Sequence, residues 1–266
     1  MREIFSEDAL CAYSKVLSDF GSVGERHNHN FELQDLFLRI PHSHLITAEL
    51  KSFLDNLFDS EPTKLSKGLK KAERAYVRTG DRITKPSYVS RVRSFSDYSN
   101  RTGLISEIDQ IRSVARGFCK EPNASYHVIS IFRPVDLIEK FRPGYVPCII
   151  CADFKYRKGY LTAKFIFRSC DAYNLLPFDL FYTISLAEQL LDQIRTNGFS
   201  GNIQLGDMVY WFSRIFVSRF DIPLRTSMLS HIEQHKDRHR LNRKRRQNIL
   251  RDLSRGRKPL QNAEPS

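Results

Sequence analysis

The chain has 266 residues, of which 41% are hydrophobic and 12% are aromatic, and it carries a net charge of +12. These values are those of a globular protein with a buried core, and no apolar run approaches the roughly 20 residues that a membrane span needs. The start MREIFSEDAL has acids where a secretory signal would be apolar, so we expect a cytoplasmic protein with no membrane partner.

The cysteines and histidines do not predict a metal site. Five cysteines are an odd number, which fits free thiols in a reducing compartment better than a disulfide framework. They supply no closed zinc set, and the eight histidines show no ligand spacing beyond the loose HNH at 27–29, so we expect no metal.

The first hundred residues mix helical, extended and irregular patterns. Apolar spacing predicts a helix over 5–19, and it is followed by a loop over 19–30 and a strand over 31–40. Residues 43–58 repeat apolar positions at intervals of three and four, which predicts a second helix with Ser43 as its N-cap. Residues 60–103 are polar and lack periodicity, so we expect an irregular insertion or a mobile segment there.

The middle of the chain predicts a helix, a strand and then a hairpin. Residues 105–122 have an amphipathic pattern that predicts a helix ending at Pro122. In SYHVISIF at 125–132 polar and apolar residues alternate, which predicts a strand. Residues 148–169 indicate two strands joined by a turn at Lys158-Gly159.

The last part predicts two helices around one strand. A long helix over 179–198 ends at Asn197-Gly198, a strand covers 201–212, and a basic helix covers 227–256. Because strands and helices mix without a βαβ rhythm and without a repeat, we expect an α+β fold.

The positive charge is concentrated in the predicted basic helix. Residues 235–258 hold eleven Lys or Arg and two Asp, a net +9, whereas the other residues hold 31 basic and 28 acidic side chains, a net +3. Such a segment is either a solvated helix or a contact for nucleic acid or another polyanion, whose bound counterions a basic partner would release.

Several motifs resemble those of thymidylate synthases and their pyrimidine hydroxymethylase relatives. Pro147-Cys148 resembles the Pro-Cys nucleophile of that family, and the 20 residues from Cys148 to Arg168 match the interval to its phosphate-binding Arg-Ser. The stretch RSCDAYNLLPFD resembles Arg-Ser-x-Asp followed by Leu-Pro-Phe-Asn, and the segments EIDQIRS, FELQD, LITAEL and the GD at 206–207 also match in order. The resemblance implies a large mixed sheet packed with helices, a homodimer across sheet faces, and 5,10-methylenetetrahydrofolate as the one-carbon donor.

The chemistry of that family explains these residue types. C5 of a pyrimidine is a poor nucleophile until a thiolate adds to C6 and makes C5 an enolate or enamine carbon. The resemblance gives Cys148 this role, and a thiol with an ordinary pKa of about 8.5 needs positive charge nearby to ionise. Arg168 would supply that charge and, together with Ser169, bind an anionic group. Glu49 would move protons, and Asp171 would contact the folate.

Two further positions follow from the same resemblance. The family's Tyr-Gly-x-Gln-Trp-Arg segment helps to organise the site and has only a degenerate match in YSNR at 98–101, which makes Tyr98 a candidate. Asp179 stands where the uracil enzymes have Asn and the cytosine-using hydroxymethylases have Asp. A carboxylate pairs with the N4 amino group and a protonated N3 of cytosine better than an amide does. The alternative is that Asp179 is the N-cap of the helix that follows.

The sequence also departs from the family. The pair of arginines that reaches the phosphate from the partner subunit falls at Ser125 and Tyr126, which cannot make two bidentate charged contacts. The His and Tyr that hold the sugar hydroxyl fall at Val209 and Trp211, and Leu175 replaces the glycine before Leu-Pro-Phe. The folate-stacking tryptophans are absent, and the basic helix replaces the apolar C-terminus.

Two functions therefore stay open. The first is folate-dependent hydroxymethylation or methylation at C5 of a cytosine-type pyrimidine nucleotide, derivative or polymer. The second is an inactive scaffold, or a nucleic-acid-binding protein that uses the basic helix. In the second case Cys148 is a packed strand thiol, Arg168 an ion-pair partner, Asp171 a turn cap and Glu49 a solvated side chain. We predict a thymidylate synthase-like domain over 1–225, a basic helical tail over 226–258 and a disordered end over 259–266.

Overall fold

The computed structural model describes residues 2–22, 24–41, 50–56, 87–98, 105–134, 136–137 and 146–254. The N-terminal elements are β1 (Arg2–Phe5), α1 (Ala9–Asp19), β2 (Glu25–His27), β3 (Asn30–Ile40) and the helical residues 50–56, labelled α2. The middle elements are α3 (Tyr88–Arg93), β4 (Phe95–Tyr98), β5 (Ile105–Ile108), α4 (Gln110–Lys120) and β6 (Val128–Ser130). The C-terminal elements are β7 (Ile149–Arg157), β8 (Tyr160–Phe167), β9 (Cys170–Asp171), α5 (Leu176–Thr196), β10 (Gln204–Ser218) and α6 (Ile222–Ser254).

A mixed sheet of eight strands organises the molecule, with the order β1-β3-β10-β8-β7-β6, while β2 pairs with β3 and β9 with β10. β1 and β3 are parallel with α1 between them in the chain, and β8 and β10 are parallel with α5 between them. The mixed sheet with helices confirms the predicted α+β fold. Each of these two parallel pairs has a helix in its crossover, and the sequence pattern did not reveal either crossover.

The segment boundaries near the N-terminus differ from the prediction for local reasons. The helix expected over 5–19 begins only at Ala9, because the side chain of Asp8 accepts a hydrogen bond from the Cys11 N–H at 2.6 Å and caps it. The loop predicted over 19–30 contains β2, which forms a hairpin with β3. Residues 50–56 are helical as predicted, while Ser43 lies outside the described residues.

The irregular insertion predicted over 60–103 is wrong where the structure describes it. Residues 88–93 form α3, whose first turn is capped by Ser87, and residues 95–98 form β4. The other residues of that range lie outside the described parts of the chain. The helix predicted over 105–122 begins with the strand β5 instead, and α4 starts after Asp109, which caps it.

The β7–β8 hairpin was predicted with its turn. Lys158 and Gly159 have φ angles of 49° and 84°, as a two-residue turn with two left-handed residues requires. Ile149 therefore lies opposite Phe167, and the residue before β7 lies near the residue after β8. This pairing is what brings position 148 close to position 168.

The core lies between the sheet and the helices α1 and α5. Large side chains from the central strands point to this side and are fully buried, among them Leu38, Phe154, Phe165, Tyr210 and Phe212. The Phe167 and Phe212 rings are 4.7 Å apart. The opposite side, called the open face below, carries Arg39, Lys164 and Trp211, which are exposed.

α6 has 33 residues, so its axis is about 50 Å long. Its first turns belong to the core, since Met228 and Ile232 are buried and the His235 ring meets Phe53 at 5.5 Å. The basic helix was predicted from residue 227, and it begins five residues earlier. Within the described residues, no helix is both long and apolar enough to cross a membrane.

Candidate active site

Cys148 is held by its own backbone at the start of β7. Its N–H donates to the hydroxyl oxygen of Tyr88 at 2.9 Å, and its carbonyl accepts from the Arg168 N–H at 2.9 Å. Cys148 and Cys151 have Cys-x-x-Cys spacing, and both are free, as are the other three cysteines. The thiol of Cys148 is thus fixed at the point where the two ends of the hairpin meet.

Arg168 and Ser169 follow β8 and line the same point. The guanidinium of Arg168 donates from Nε to the Pro147 carbonyl and from Nη2 to the Val146 carbonyl, both at 2.8 Å. The Ser169 hydroxyl lies 3.8 Å from Cys148 Sγ and donates to it. Arg168 is exposed, so part of a guanidinium with five N–H donors faces outward beside the thiol.

Tyr88 is a site residue that the sequence analysis missed. It is buried in α3, and its ring lies 5.5 Å from the ring of Tyr182. α3 is a six-residue segment with Tyr first and Arg last, as in the family's Tyr-Gly-x-Gln-Trp-Arg motif, and this shared pattern is the signal that could have found it. Tyr98, predicted in its place, lies in β4, and its side chain is outside the described parts of the structure.

The position of α3 is fixed by a buried ion pair. Arg91 donates from Nη1 and Nη2 to the two carboxylate oxygens of Asp136 at 2.8 and 2.9 Å, and also to the Ile131 carbonyl. Gln110 donates to the Arg91 carbonyl at 2.9 Å and to the Ser130 carbonyl at 2.7 Å. Because breaking a buried pair is costly, these bonds hold Tyr88 against Cys148.

Asp179 is buried in the first turn of α5, with 1% of its surface exposed. Cys170 Sγ donates to Asp179 Oδ2 at 3.3 Å, and Thr183 Oγ1 donates to the Asp179 carbonyl at 2.7 Å. The N-cap of α5 is Leu175, whose side chain caps nothing, so the reading of Asp179 as an N-cap is wrong. Its carboxylate is therefore not explained by helix capping.

The surroundings of Cys148 on balance favour its protonated thiol. Burial, and then the charge of Asp179, raise the pKa of Cys148 above its usual value. Hydrogen bonds from Ser169 and Tyr88 and the charge of Arg168 lower this pKa, but they do not offset the first two causes. Arg168 thus acts in the expected direction, and Asp179 opposes it.

Asp171 lies in β9 and is tied to α6. Its carboxylate accepts from the Asn174 N–H at 3.1 Å and from Asn174 Nδ2 at 3.1 and 3.3 Å. The same Nδ2 donates to Asp221, directly before α6, at 3.1 Å. Glu49, the predicted proton carrier, lies outside the described residues.

The positions predicted to have lost phosphate and sugar contacts are exposed or apolar. Tyr126 is 57% exposed, and its hydroxyl donates to Glu121 at 3.1 Å, while the Ser125 carbonyl accepts from Lys155. Val209 is buried and Trp211 is 39% exposed, both on the open face.

A pocket of about 240 Å³ between α4 and β6 includes Tyr126 but not Cys148. In the parts of the chain described here, no three His, Cys, Asp or Glu side chains are grouped to hold a metal.

One comparison with known proteins matches most of the chain. The family model described as thymidylate synthase covers residues 28–251, which include every site residue discussed above.

Proposed function

The chain belongs to the thymidylate synthase family, and from that premise we propose that it transfers a one-carbon unit to C5 of a cytosine-type pyrimidine nucleotide or derivative. Members of this family carry out folate-dependent C5 methyl transfer to a pyrimidine. The product here is a methyl or hydroxymethyl group on the ring. The proposal rests on Asp179, a buried carboxylate whose charge reaches Cys148.

Cys148 performs the covalent step. Its thiolate adds to C6, so that an S–C6 bond forms and the electron pair of the C5=C6 double bond moves toward C5 and the C4 substituent. C5 can then form a bond to carbon, after which the C5 proton leaves and the thiolate is expelled as the double bond returns. Ser169 and Tyr88 support the thiolate by hydrogen bonds, since both lower the pKa of Cys148.

Asp179 reads the base. An ionised carboxylate accepts from the N4 amino group of cytosine and from a protonated N3, whereas O4 of uracil would face it with lone pairs. Binding a ring that offers these donors also compensates the charge that opposes ionisation of Cys148. Arg168 binds an anionic group of the substrate, for which a planar guanidinium is suited.

The residues near β9 fit methylenetetrahydrofolate in their chemistry. The buried carboxylate of Asp171 can accept hydrogen bonds from the neighbouring N–H and amino groups that a pterin presents. When bound, the folate supplies the one-carbon unit to C5. Glu49 is proposed, from the family motif alone, to move protons at the base. Five free thiols agree with the expected cytoplasmic location.

Release of tritium from C5-labelled pyrimidines tests this function. We would compare dCMP, CMP, dUMP and a labelled oligonucleotide, each with and without methylenetetrahydrofolate. We expect release from a cytosine substrate, because exchange at C5 requires addition of the thiol at C6. Release from a uracil substrate alone would discard the role of Asp179, and no release from any substrate would favour the inactive scaffold.

We also propose that two copies pair through the open face. Phe37, Trp211 and Ile166 lie side by side on three neighbouring strands and form an apolar band across it. Trp211 is 39% exposed in the single chain, and large aromatic side chains are common anchors of interfaces. Sedimentation velocity should give a dimer for the native chain and a monomer for Trp211→Glu, and a native monomer would refute the pairing.

Binding of nucleic acid through α6 is the second candidate function. Residues 236–254 of this helix carry eight Lys or Arg and two Asp. We expect affinity for an oligonucleotide that falls steeply with salt. Changing Arg243, Lys244, Arg245 and Arg246 to Gln should reduce the slope of log K against log salt by about 3 to 4. An unchanged slope would exclude these four residues as the contact, and turnover of small substrates should not change.

A further inference from the structure

The pocket of about 240 Å³ between α4 and β6 has no role in the functions proposed above. It lies at the edge of the sheet, because β6 is the last strand in the order. Ile108, Val114 and Val128 supply apolar side chains to its lining. Because Ile108 and Tyr126 are exposed, the pocket is open to solvent. A dry apolar cavity of about 150 Å³ is large enough for benzene, so this pocket has room for a molecule of two fused rings.

One polar atom of the lining has no hydrogen-bond partner within the described residues, namely Nδ1 of the completely buried His127. The Nε2 atom of His127 lies 2.8 Å from the Glu121 carbonyl oxygen, which can only accept, so Nε2 carries the proton of the neutral ring. The ring is stacked on Phe118 with 3.8 Å between the centroids, which fixes its plane. Nδ1 is therefore a buried acceptor in a fixed direction, and leaving it unpaired costs free energy.

Gly117 leaves open the space beside this acceptor. A Cβ added to Gly117 would lie 3.4 Å from Nδ1 and 3.3 Å from Cε1 of His127, and 3.4 Å from Cε2 of Tyr126. Gly117 lies inside α4, where glycine is less favourable than alanine. The missing side chain keeps the floor of the pocket free next to Nδ1, so a bound molecule can place its donor there.

The other polar side chains of the lining already have partners. Gln110 uses both atoms of its amide in hydrogen bonds to the backbone, and the Ser113 hydroxyl donates to a backbone carbonyl. The Tyr126 hydroxyl donates to the Glu121 carboxylate. Among the described residues, no Lys, Arg, Asp or Glu lines the pocket. A charged molecule, or one with several polar ring atoms, would lose water there without gaining partners.

We propose that this pocket binds a neutral heteroaromatic molecule of two fused rings with a single N–H or O–H donor, of the indole class. The donor of the ligand bonds to Nδ1 of His127, and the rings lie between the apolar side chains, where the ring of Tyr126 can pack on them. A purine fits less well, because its ring nitrogens would stay unpaired. The pocket does not include Cys148. The inference is therefore independent of the proposed one-carbon transfer.

The first experiment titrates the full chain, labelled with ¹⁵N in its histidine rings, with indole. The Nδ1 resonance of His127 should move in a saturable way, because accepting a hydrogen bond changes the shielding of a ring nitrogen. Affinities come from isothermal titration calorimetry. Benzofuran has the same shape with an oxygen in place of the N–H, so it should bind about tenfold more weakly. Adenine should not bind. No binding of indole, or equal affinity for benzofuran or adenine, would overturn the proposal.

The variant His127→Phe tests whether Nδ1 is the acceptor. It keeps an aromatic ring to stack on Phe118 and removes the nitrogen. Indole should then bind no more tightly than benzofuran, so the preference of about tenfold is lost. A merely structural defect would weaken both ligands together and keep their ratio. A preference for indole that survives in this variant would contradict the role of His127.

The variant Gly117→Ala tests the place of the ligand without removing a polar group. The new methyl group fills the floor of the pocket, so indole should bind about tenfold more weakly or worse. Because alanine favours a helix more than glycine does, the fold should be retained. The matched control is Cys119→Ala on the same helix, whose thiol donates to the Ile194 carbonyl outside the pocket. Unchanged affinity in Gly117→Ala, or an equal loss in the control, would overturn the site.

Discussion

Two ends of the candidate site differ in how they are built. The base end consists of buried or partly buried residues in two sets of contacts. Tyr88 and Ser169 contact Cys148, and Cys170 contacts Asp179. The phosphate and sugar end is defined by the sequence resemblance alone. Its positions, which the resemblance matches to charged or hydroxyl-binding side chains, are here Ser125, Tyr126, Val209 and Trp211. The comparison teaches that groups acting on a ring can persist as a packed unit while the groups that hold its carrier are replaced.

The physical reason is the environment of each end. A buried polar side chain is expensive to lose singly, because its partner is then left without a hydrogen bond. Exposed side chains such as Tyr126 have no such constraint and can change with little effect on stability. We infer that the ring is a cytosine-type pyrimidine and that its carrier differs from an ordinary 5′-monophosphate.

The largest effect on the base end is expected from Cys148→Ala. Removal of the nucleophile should reduce tritium release by about 10³-fold or more, since the covalent step has no substitute. Cys151→Ala, which removes the thiol three residues along the same strand, should leave release within about twofold. Circular dichroism should show both variants folded, and activity that survives in Cys148→Ala would end the covalent mechanism.

Asp179→Asn tests whether the base end carries the specificity. An amide at this buried position should favour uracil over cytosine substrates and change the ratio of their rates by about 10² to 10³-fold. The same change removes the charge that raises the pKa of Cys148, so this pKa should fall and alkylation of Cys148 by iodoacetamide should begin at lower pH. An unchanged ratio of the rates with uracil and cytosine substrates would mean that Asp179 does not recognise the base.

Tyr88→Phe tests whether the hydroxyl of Tyr88 acts on the thiol of Cys148. The hydroxyl of Tyr88 lowers the pKa of Cys148 by a hydrogen bond, so its removal raises this pKa further above the usual value of a thiol. The alkylation profile should move to higher pH, and turnover at pH 8 should fall by about tenfold. Tyr156→Phe serves as the control, because its ring packs on Phe199 away from the thiol. Equal profiles for both variants would remove Tyr88 from the site.

The smallest expected effect comes from rebuilding the other end. The double variant Ser125→Arg and Tyr126→Arg restores two guanidinium groups at the positions where the family has them. KM for a cytidine monophosphate should fall by about tenfold, with kcat nearly unchanged, because the new contacts do not touch the ring. Steady-state kinetics at two salt concentrations would show this, and an unchanged KM would mean that the two ends are not joined as proposed.

Local patterns in the sequence predicted the hairpin and the helix that build the base end. The turn at Lys158-Gly159 sets the pairing of β7 and β8, so the spacing between Cys148 and Arg168 could be converted into proximity. Residues from distant parts of the chain were harder to predict. Tyr88 lies 60 positions before its partner, in a segment whose polar composition hid a six-residue helix.

Errors in the fold prediction have a similar origin. β1 has four residues and pairs in parallel with β3, and such a contact leaves no periodic signal within the strand itself. The parallel pairing of β8 with β10 also depends on a crossover and not on a turn. The helix α5 was predicted from residue 179, whereas it begins at Leu176. Pro177 suggests a helix end in a sequence pattern, although proline is well tolerated in the first turn of a helix.

The contact between Tyr88 and Cys148 also bears on how the protein folds. Cys148, Arg168, Ser169, Cys170 and Asp179 come from one continuous segment whose contacts close short loops, whereas Tyr88 closes a loop of 60 residues. Longer loops cost more chain entropy and form later. A folding chain therefore acquires its thiol and carboxylate before the tyrosine that tunes them. The amide of Cys148, which Tyr88 protects from water, should be among the last in the hairpin to resist hydrogen exchange.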